Sequence, residues 1–162
     1  MRVITTICIA MLILITAACS GHKQTIVTKE GTATIETNQH NDTTTVTSKE
    51  GTATFGKNAV DLSKLGLPVY PGASVDTGGM NVQSNQGSEQ IEMLTTADSF
   101  DKVYGWYKSH MPADSEKMHM SSGGQSLAQF AIGKEGEKNI KSVMIAESNG
   151  KTTIQLVVGS KT

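Results

Sequence analysis

Apolar positions recur with a helical period in one part of the chain, residues 97–111. Side chains at i, i+3, i+4, i+7 and i+11 form a single apolar stripe, as in an amphipathic helix. The stripe consists of Phe100, Val103, Tyr104, Tyr107 and Met111. Asp98 is placed to cap the helix N-terminus, and Asp101 adds negative charge where the helix dipole favours it. Pro112 ends the pattern, so the sequence predicts one helix there.

Most of the chain on both sides of this helix alternates between apolar and polar residues with period two, which is typical of strands. The predicted strands are 73–84, 89–95, 117–121, 125–132, 139–148 and 151–159. Asn149-Gly150 gives the strongest hairpin signal. We therefore predict an α+β fold for residues 62–162: an antiparallel sheet of order ββαββββ, with the helix packed on one side and water on the other.

A short segment occurs twice before this domain. Lys29-Glu30-Gly31-Thr32-Ala33-Thr34 returns as Lys49-Glu50-Gly51-Thr52-Ala53-Thr54. Each copy predicts a strand, a tight turn at Lys-Glu-Gly and a second strand. Threonine favours extended chain but buries little apolar surface. We therefore predict that residues 19–61 contain the anchor and a β-rich spacer outside the core, with a ligand-binding β-repeat as the alternative.

The N-terminus has the pattern of a secretory signal peptide, predicted as residues 1–18. Arg2 precedes an apolar run from Val3 to Ala18, and the run is shorter than the roughly 20 residues that a membrane-spanning helix needs. Cys8 lies within this peptide, so Cys19 is the only cysteine left after cleavage. A disulfide within the mature chain is therefore excluded.

The end of the apolar run, Thr16-Ala17-Ala18-Cys19, resembles the lipobox of bacterial lipoproteins. The family prefers leucine where this chain has Thr16, and ordinary cleavage after Ala18 is the alternative. The resemblance implies that Cys19 becomes the first residue and carries the lipid, palmitate included, that anchors the protein. It also implies a bacterial cell envelope location. An aspartate directly after the lipidated cysteine would resemble an inner-membrane retention signal, but this chain has Ser20 there. We therefore expect the protein in the outer membrane, facing the periplasm.

A second resemblance covers residues 62–162. Tyr70-Pro71-Gly72-Ala73, together with residues 95–103 and Tyr107-Lys108, resembles a domain of uncharacterised bacterial envelope lipoproteins. This resemblance implies no particular activity. Leu65, Leu67, Val69 and Tyr70 at the start of the domain are predicted to pack beneath the sheet.

The charge pattern excludes some partners. The chain has 14 basic and 15 acidic residues, a formal net charge of −1, and the two signs are interspersed. No basic patch for nucleic acid is visible. The predicted partners are therefore the membrane, through the N-terminal lipid, and an envelope protein.

The residues that could perform chemistry are scattered. His22 and His40 lie in polar segments, and His110 ends the helix. Met118-His119-Met120 would suit Cu(I), but strand alternation sends the methionines to one face and His119 to the other. The candidate acids are Glu89, Glu92, Asp98, Asp101, Glu135 and Glu137. They do not form a convergent pair, and no serine lies in a nucleophile elbow. We predict no metal, no cofactor and no catalytic residue.

These observations predict an uncharacterised lipid-anchored envelope protein that acts as a noncatalytic binding or structural module. The alternative is an envelope lipoprotein that binds a small ligand or a metal ion.

Overall fold

The computed structural model describes residues 22–29, 31–133 and 137–162. Within these ranges the chain forms one eleven-stranded antiparallel sheet, one α-helix and a short 3-10 turn at Leu62–Lys64. The strands are β1 His22–Thr28, β2 Gly31–Asn38, β3 Thr43–Ser48, β4 Gly51–Gly56, β5 Ser74–Val75, β6 Gly79–Ser84, β7 Gly87–Thr96, β8 Glu116–Ser122, β9 Gln125–Ile132, β10 Asn139–Ser148 and β11 Lys151–Lys161. Helix α1 is Phe100–His110.

The sheet is a meander with one crossover. Its order is β1-β2-β3-β4-β6-β7-β11-β10-β9-β8, and β5 pairs with β7 beside β6. The C-terminal strand β11 is therefore inserted between β7 and β10 rather than lying at an edge. Strands β1 and β8 form the two edges of the sheet.

The predicted α+β fold class is wrong, because the fold is dominated by a single sheet. The repeat forms strands β1 to β4, and β4 continues the hydrogen-bonded ladder into β6 from Gly51↔Ser84 to Gly56↔Gly79. Strands of matching alternation and turn spacing extend an open sheet edge at little cost, since each new strand satisfies unpaired backbone groups of the last. The eleven-residue helix is the one α-helix in the described ranges.

Several predicted strands are confirmed, including the hairpin across Asn149-Gly150 that joins β10 and β11. The predicted strand 73–84 is instead interrupted between β5 and β6. Gly78 has φ +91°, and a Cβ there would lie 2.6 Å from both the Gly56 carbonyl oxygen and the Lys57 nitrogen. The close approach of β4 therefore requires glycine and bends the chain.

The apolar core lies on the side of the sheet that carries α1. Phe100, Val103, Tyr107 and Met111 of the predicted stripe are buried. They join buried residues of strands β7 to β11, namely Leu94, Ala128, Phe130, Val143, Ile145, Ile154 and Leu156. Leu65, Leu67 and Tyr70 are also buried in this core, and Val69 packs against it, so the predicted packing of this segment is confirmed.

The start of α1 differs from the prediction. Ser99 occupies the N-cap position without a side-chain capping bond. The Asp98 carboxylate instead accepts a hydrogen bond from the Tyr70 hydroxyl at 2.7 Å and pairs with Lys102. The Phe100 N–H donates to Glu147 Oε2 of β10 at 3.1 Å. The carboxylate that accepts from the first helical N–H is therefore Glu147 of the sheet, and its negative charge interacts favourably with the helix dipole.

Candidate binding face

The side of strands β7 to β11 that points away from α1 has no covering layer in the described ranges. Residues that alternate with the buried core positions point to this side. All of them keep partial solvent exposure, from the half-buried Met93 to Met120, which is 51% exposed. We call this surface the open face. Its middle is formed by Ile91, Met93, Met118, Met120, Leu127, Gln129, Ala131, Ser142, Met144, Ala146, Gln155 and Val157.

The middle of the open face carries no charged side chain. Glu89, Lys151 and Lys161 point the same way, but each lies near an end of its strand. A solvated sheet face is ordinarily rich in charged residues, whereas the core of a protein interface is depleted of them and has a polar rim. The open face has the second pattern.

Methionine is concentrated on this side of the sheet. Met93, Met118, Met120 and Met144 lie on the open face, and Met80 of β6 extends it. Met111 by contrast is buried in the core. Methionine side chains are flexible and polarizable, and they recur on surfaces that adapt to an apolar partner.

A groove of about 360 Å³ lies at one end of the open face. Val82, Ile140 and Val157 supply apolar lining, and the charged residues of the lining are Glu89, Glu137, Lys138 and Lys161. The volume is at the lower end of the range of small-molecule pockets. It is the feature that would suit a small ligand with an apolar body and a polar group.

The opposite side of the sheet carries a polar cluster between α1 and β8. The Tyr104 hydroxyl donates to Glu116 Oε1 at 2.9 Å and accepts from Lys108 Nζ at 3.1 Å. The Tyr104 hydroxyl, together with the Glu116 charge, raises the pKa of Lys108. The His119 ring stacks on Tyr104 with centroids 4.1 Å apart. Tyr104, Lys108 and Glu116 satisfy one another, so the cluster ties the helix to the sheet.

A second set of side chains packs around the start of α1 at the edge of the core. Tyr70 bonds Asp98, and burial together with this carboxylate raises the pKa of Tyr70. Trp106 lies edge-on to Tyr70, with ring centroids 5.4 Å apart, and stacks on His110 at 4.0 Å. Trp106 is partly buried and packs against the core, so it covers the core's margin.

Glu92 is the one acidic residue in the described ranges that is fully buried. It lies on the core side of β7, and its Oε1 accepts from the Met93 N–H at 3.1 Å. Glu92 Oε2 has no hydrogen-bond partner, and the same is true of Asn81 Oδ1 on neighbouring β6. Burial raises the pKa of Glu92. A raised carboxyl pKa can mark an active site, but burial alone accounts for the raised pKa of Glu92, and the hydrogen bond from the Met93 N–H partly offsets it.

The structure brings two of the predicted acids, Glu89 and Glu137, to the lining of one groove and places the other predicted site residues apart from one another. His22 is at the exposed start of β1, His40 is in the β2–β3 turn, and His110 and His119 contact α1 aromatic rings. The predicted alternation at Met118-His119-Met120 is confirmed: His119 is opposite buried Ala128, whereas Met120 is opposite Leu127 on the open face. Across residues 22–29, 31–133 and 137–162, no three His, Cys, Asp or Glu side chains are grouped to hold a metal ion. Cys19 and Glu135 lie outside the described residues.

The open face was missed by reasoning from the sequence, which predicted only that this side meets water. A signal was present, because the outward positions of the strands hold methionine, glutamine and small residues where a solvated face would hold lysine and glutamate. No family model, curated protein or solved structure matches this chain. Within the described part of the chain, no helix is long and apolar enough to cross a bilayer.

Proposed function

We propose that the protein is a noncatalytic binding or structural module of a bacterial cell envelope, anchored to the membrane by lipid on Cys19. The observation that carries the binding role is the open face, a broad surface with an uncharged, methionine-rich middle. A surface of this kind binds a partner by burying apolar area, and its few charges contribute little to how the partner is oriented. Such a surface fits a binding role better than a catalytic one.

The polar clusters support a noncatalytic role. A general acid or base must be within hydrogen-bond reach of a substrate and have a pKa tuned for proton transfer. Tyr104, Lys108 and Glu116 are bonded to one another, and Asp98 is bonded to Tyr70 and Lys102. Glu92 is fully buried and out of reach of a substrate.

The anchoring rests on the sequence Thr16-Ala17-Ala18-Cys19 and on the single cysteine of the mature chain. Mass spectrometry of the native N-terminus should find acyl chains on Cys19. Cys19→Ala should move the protein from the membrane fraction to the soluble fraction or leave it unprocessed. Membrane fractionation in a two-membrane bacterium should place the parent protein in the outer membrane. A native N-terminus with a free thiol would contradict the proposal.

Binding of a small ligand is the second candidate, and the groove beside Glu89 and Lys161 favours it. Native mass spectrometry of gently purified protein should then show a bound small molecule. Val157→Trp would fill the groove and should abolish that extra mass, with Val46→Trp in the repeat as the matched control. Metal binding has no comparable feature among the described residues, and intact-mass measurement after a metal screen tests it directly.

A further inference from the structure

One row of side chains across the open face reads the same in both directions. The cross-strand register aligns five residues, each directly opposite the next: Met93 of β7, Gln155 of β11, Met144 of β10, Gln129 of β9 and Met118 of β8. The residue types are Met-Gln-Met-Gln-Met. The row is therefore symmetric about Met144, which lies at the middle of the five strands.

We propose that the open face is covered by the open face of a second copy of this chain, related by a twofold axis that lies between the two sheets, parallel to β10 and directly over Met144. A twofold interface places one patch against itself, so the patch must be complementary to its own rotated image. Rotation about this axis places Met93 against Met118 of the other copy and Gln155 against Gln129. The symmetric row satisfies the requirement residue by residue.

The chemistry of the row suits this packing. Gln155 and Gln129 each carry donors and an acceptor, so the opposed amides can bond reciprocally twice across the interface. The methionines between them are flexible enough to fill the space between two sheets, which pack about 10 Å apart. Two twisted sheets stack in this aligned way in β-sandwiches.

The size of the surface is sufficient. Five strands spaced about 4.8 Å apart, each with roughly eight residues at about 3.3 Å, give a flat footprint on the order of 600 Å² per chain. A stable interface buries about 800 Å² of accessible surface per partner, and corrugated side chains have more accessible area than their flat projection. The uncharged middle and the charged ends of the strands provide the apolar centre and polar rim of such an interface.

The orientation also fits the proposed anchor, and in this respect the inference rests on the proposed function. Cys19 precedes the start of β1 by three positions. A twofold axis parallel to the strands keeps both chains pointing the same way, so both N-termini lie at the same end of the dimer. Two anchored copies can therefore pair within one membrane.

Cysteine crosslinking of the full chain in native membranes tests the pairing and its symmetry. With a short bis-maleimide, Met144→Cys should crosslink to itself in high yield. Met93→Cys should not, because two copies of this residue would be about 19 Å apart along the sheets. Chains with Met93→Cys mixed with chains carrying Met118→Cys should crosslink. Ser121→Cys, on the other side of the sheet, and the parent chain are the controls.

Charge variants test the same surface by mass. Light scattering of the detergent-solubilised mature protein should give a dimer, and Met144→Glu should raise its dissociation constant at least tenfold, since two carboxylates would meet on the axis. Ser121→Glu should have no effect. Gln129→Glu should weaken the dimer severalfold, and adding Gln155→Lys should restore it. These two residues lie two strands apart within one chain, so restoration reports contact between chains.

A monomeric parent protein, or self-crosslinking at Met93→Cys equal to that at Met144→Cys, would overturn the proposed dimer. Crosslinking of Met144→Cys to a different protein would also overturn it and would assign the open face to that partner, leaving the proposed anchored module intact. If Cys19 is unmodified but the dimer passes the tests above, the proposed lipid anchor is wrong and the proposed dimer stands. Failure of each proposal is therefore recognised separately.

Discussion

Strands β1 to β4, from the repeat, and the strands that share a core with α1 belong to one sheet but have different interiors. On the core side, Leu94, Ile145 and Ile154 are at most 1% exposed. The same side of the repeat carries threonines, of which Thr45 and Thr54 face one another with their hydroxyl oxygens 3.2 Å apart. The backbone ladders are alike. A regular ladder is therefore formed by alternation and turns, whereas a core also needs a second layer.

The β3–β4 turn of the repeat and the β6–β7 turn of the main sheet have the same local structure. In the repeat, the Glu50 N–H donates to Ser48 Oγ at 3.2 Å, and in the β6–β7 hairpin the Gln86 N–H donates to Ser84 Oγ at 3.2 Å. Both turns end in a glycine with φ near +150°, Gly51 and Gly87. The turn pattern of the repeat therefore continues into the main sheet. Ser-x-x-Gly at both places was the signal in the sequence.

The largest expected effect comes from emptying the core beneath the helix. Tyr107 is 0% exposed, so Tyr107→Ala should lower the free energy of unfolding by about 3–5 kcal/mol, as for other large aromatic truncations. Val46→Ala, a half-buried position of the repeat, should cost about 1 kcal/mol or less. Urea unfolding measures both changes. Equal losses would mean that the two regions do not differ as described.

Tyr107→Phe is the matched control for the ring. The buried hydroxyl makes no hydrogen bond of ordinary geometry, and burial raises its pKa although a weak interaction with the Tyr70 backbone partly offsets the effect. Removing an unpaired buried hydroxyl should be neutral or slightly stabilising. A loss as large as that of Tyr107→Ala would show that the hydroxyl, and not the ring, holds the helix.

The next effect compares the two copies of the repeat. Gly51 has φ +155°, and a Cβ there would collide with the Gln83 carbonyl oxygen of β6, so Gly51→Ala should cost about 1–3 kcal/mol. Gly31 has φ +146°, and a Cβ there would be in ordinary van der Waals contact with the Lys49 side chain, at 3.7 Å. Gly31→Ala should therefore cost less by about 1 kcal/mol. Thermal unfolding of the two variants measures the difference in stability. Equal losses of stability would mean that Gly31 is as crowded as Gly51.

Glu92 lies where the core meets the repeat side of the sheet and should limit stability at neutral pH. Its pKa is raised in the folded protein, so the native state holds the proton more tightly than the unfolded state. Stability is therefore highest below the unfolded pKa and falls as pH rises from there through the higher folded pKa. Glu92→Gln should flatten this fall and add on the order of 1 kcal/mol at pH 7. Urea unfolding between pH 4 and 8 provides the test, and a steeper fall in the variant would contradict it.

The smallest effect is expected from removing the repeat itself. The buried core contains nothing from strands β1 to β4, so we expect residues 62–162 to fold without the repeat. Deletion of residues 24–56 should leave a cooperative thermal transition with little shift in its midpoint. Ala59 and Val60 are buried in the core and should be kept in the deleted chain. Loss of the transition would mean that the ladder from β4 to β6 is essential for the fold.

The sequence by itself determined the local elements. The i, i+3, i+4, i+7 stripe predicted α1, alternation predicted most strands, and Asn149-Gly150 predicted the last hairpin, because these signals act over a few neighbouring residues. Alternation also separated His119 from Met118 and Met120. The Cys19 anchor remains a prediction of the sequence alone.

The tertiary structure decided what distant residues do together. The insertion of β11 between β7 and β10 aligns Met93 with Gln155 and so completes the symmetric row, but strand order depends on pairings between residues about sixty positions apart. Glu147 of β10 also acts over a long sequence distance, because it accepts a hydrogen bond from the Phe100 N–H at the start of α1. Asp98 accepts a hydrogen bond from the Tyr70 hydroxyl instead of capping the helix. The fold class was wrong for a related reason: strand propensity does not show whether two sets of strands share a ladder, since that is settled by backbone groups that every sequence has in common.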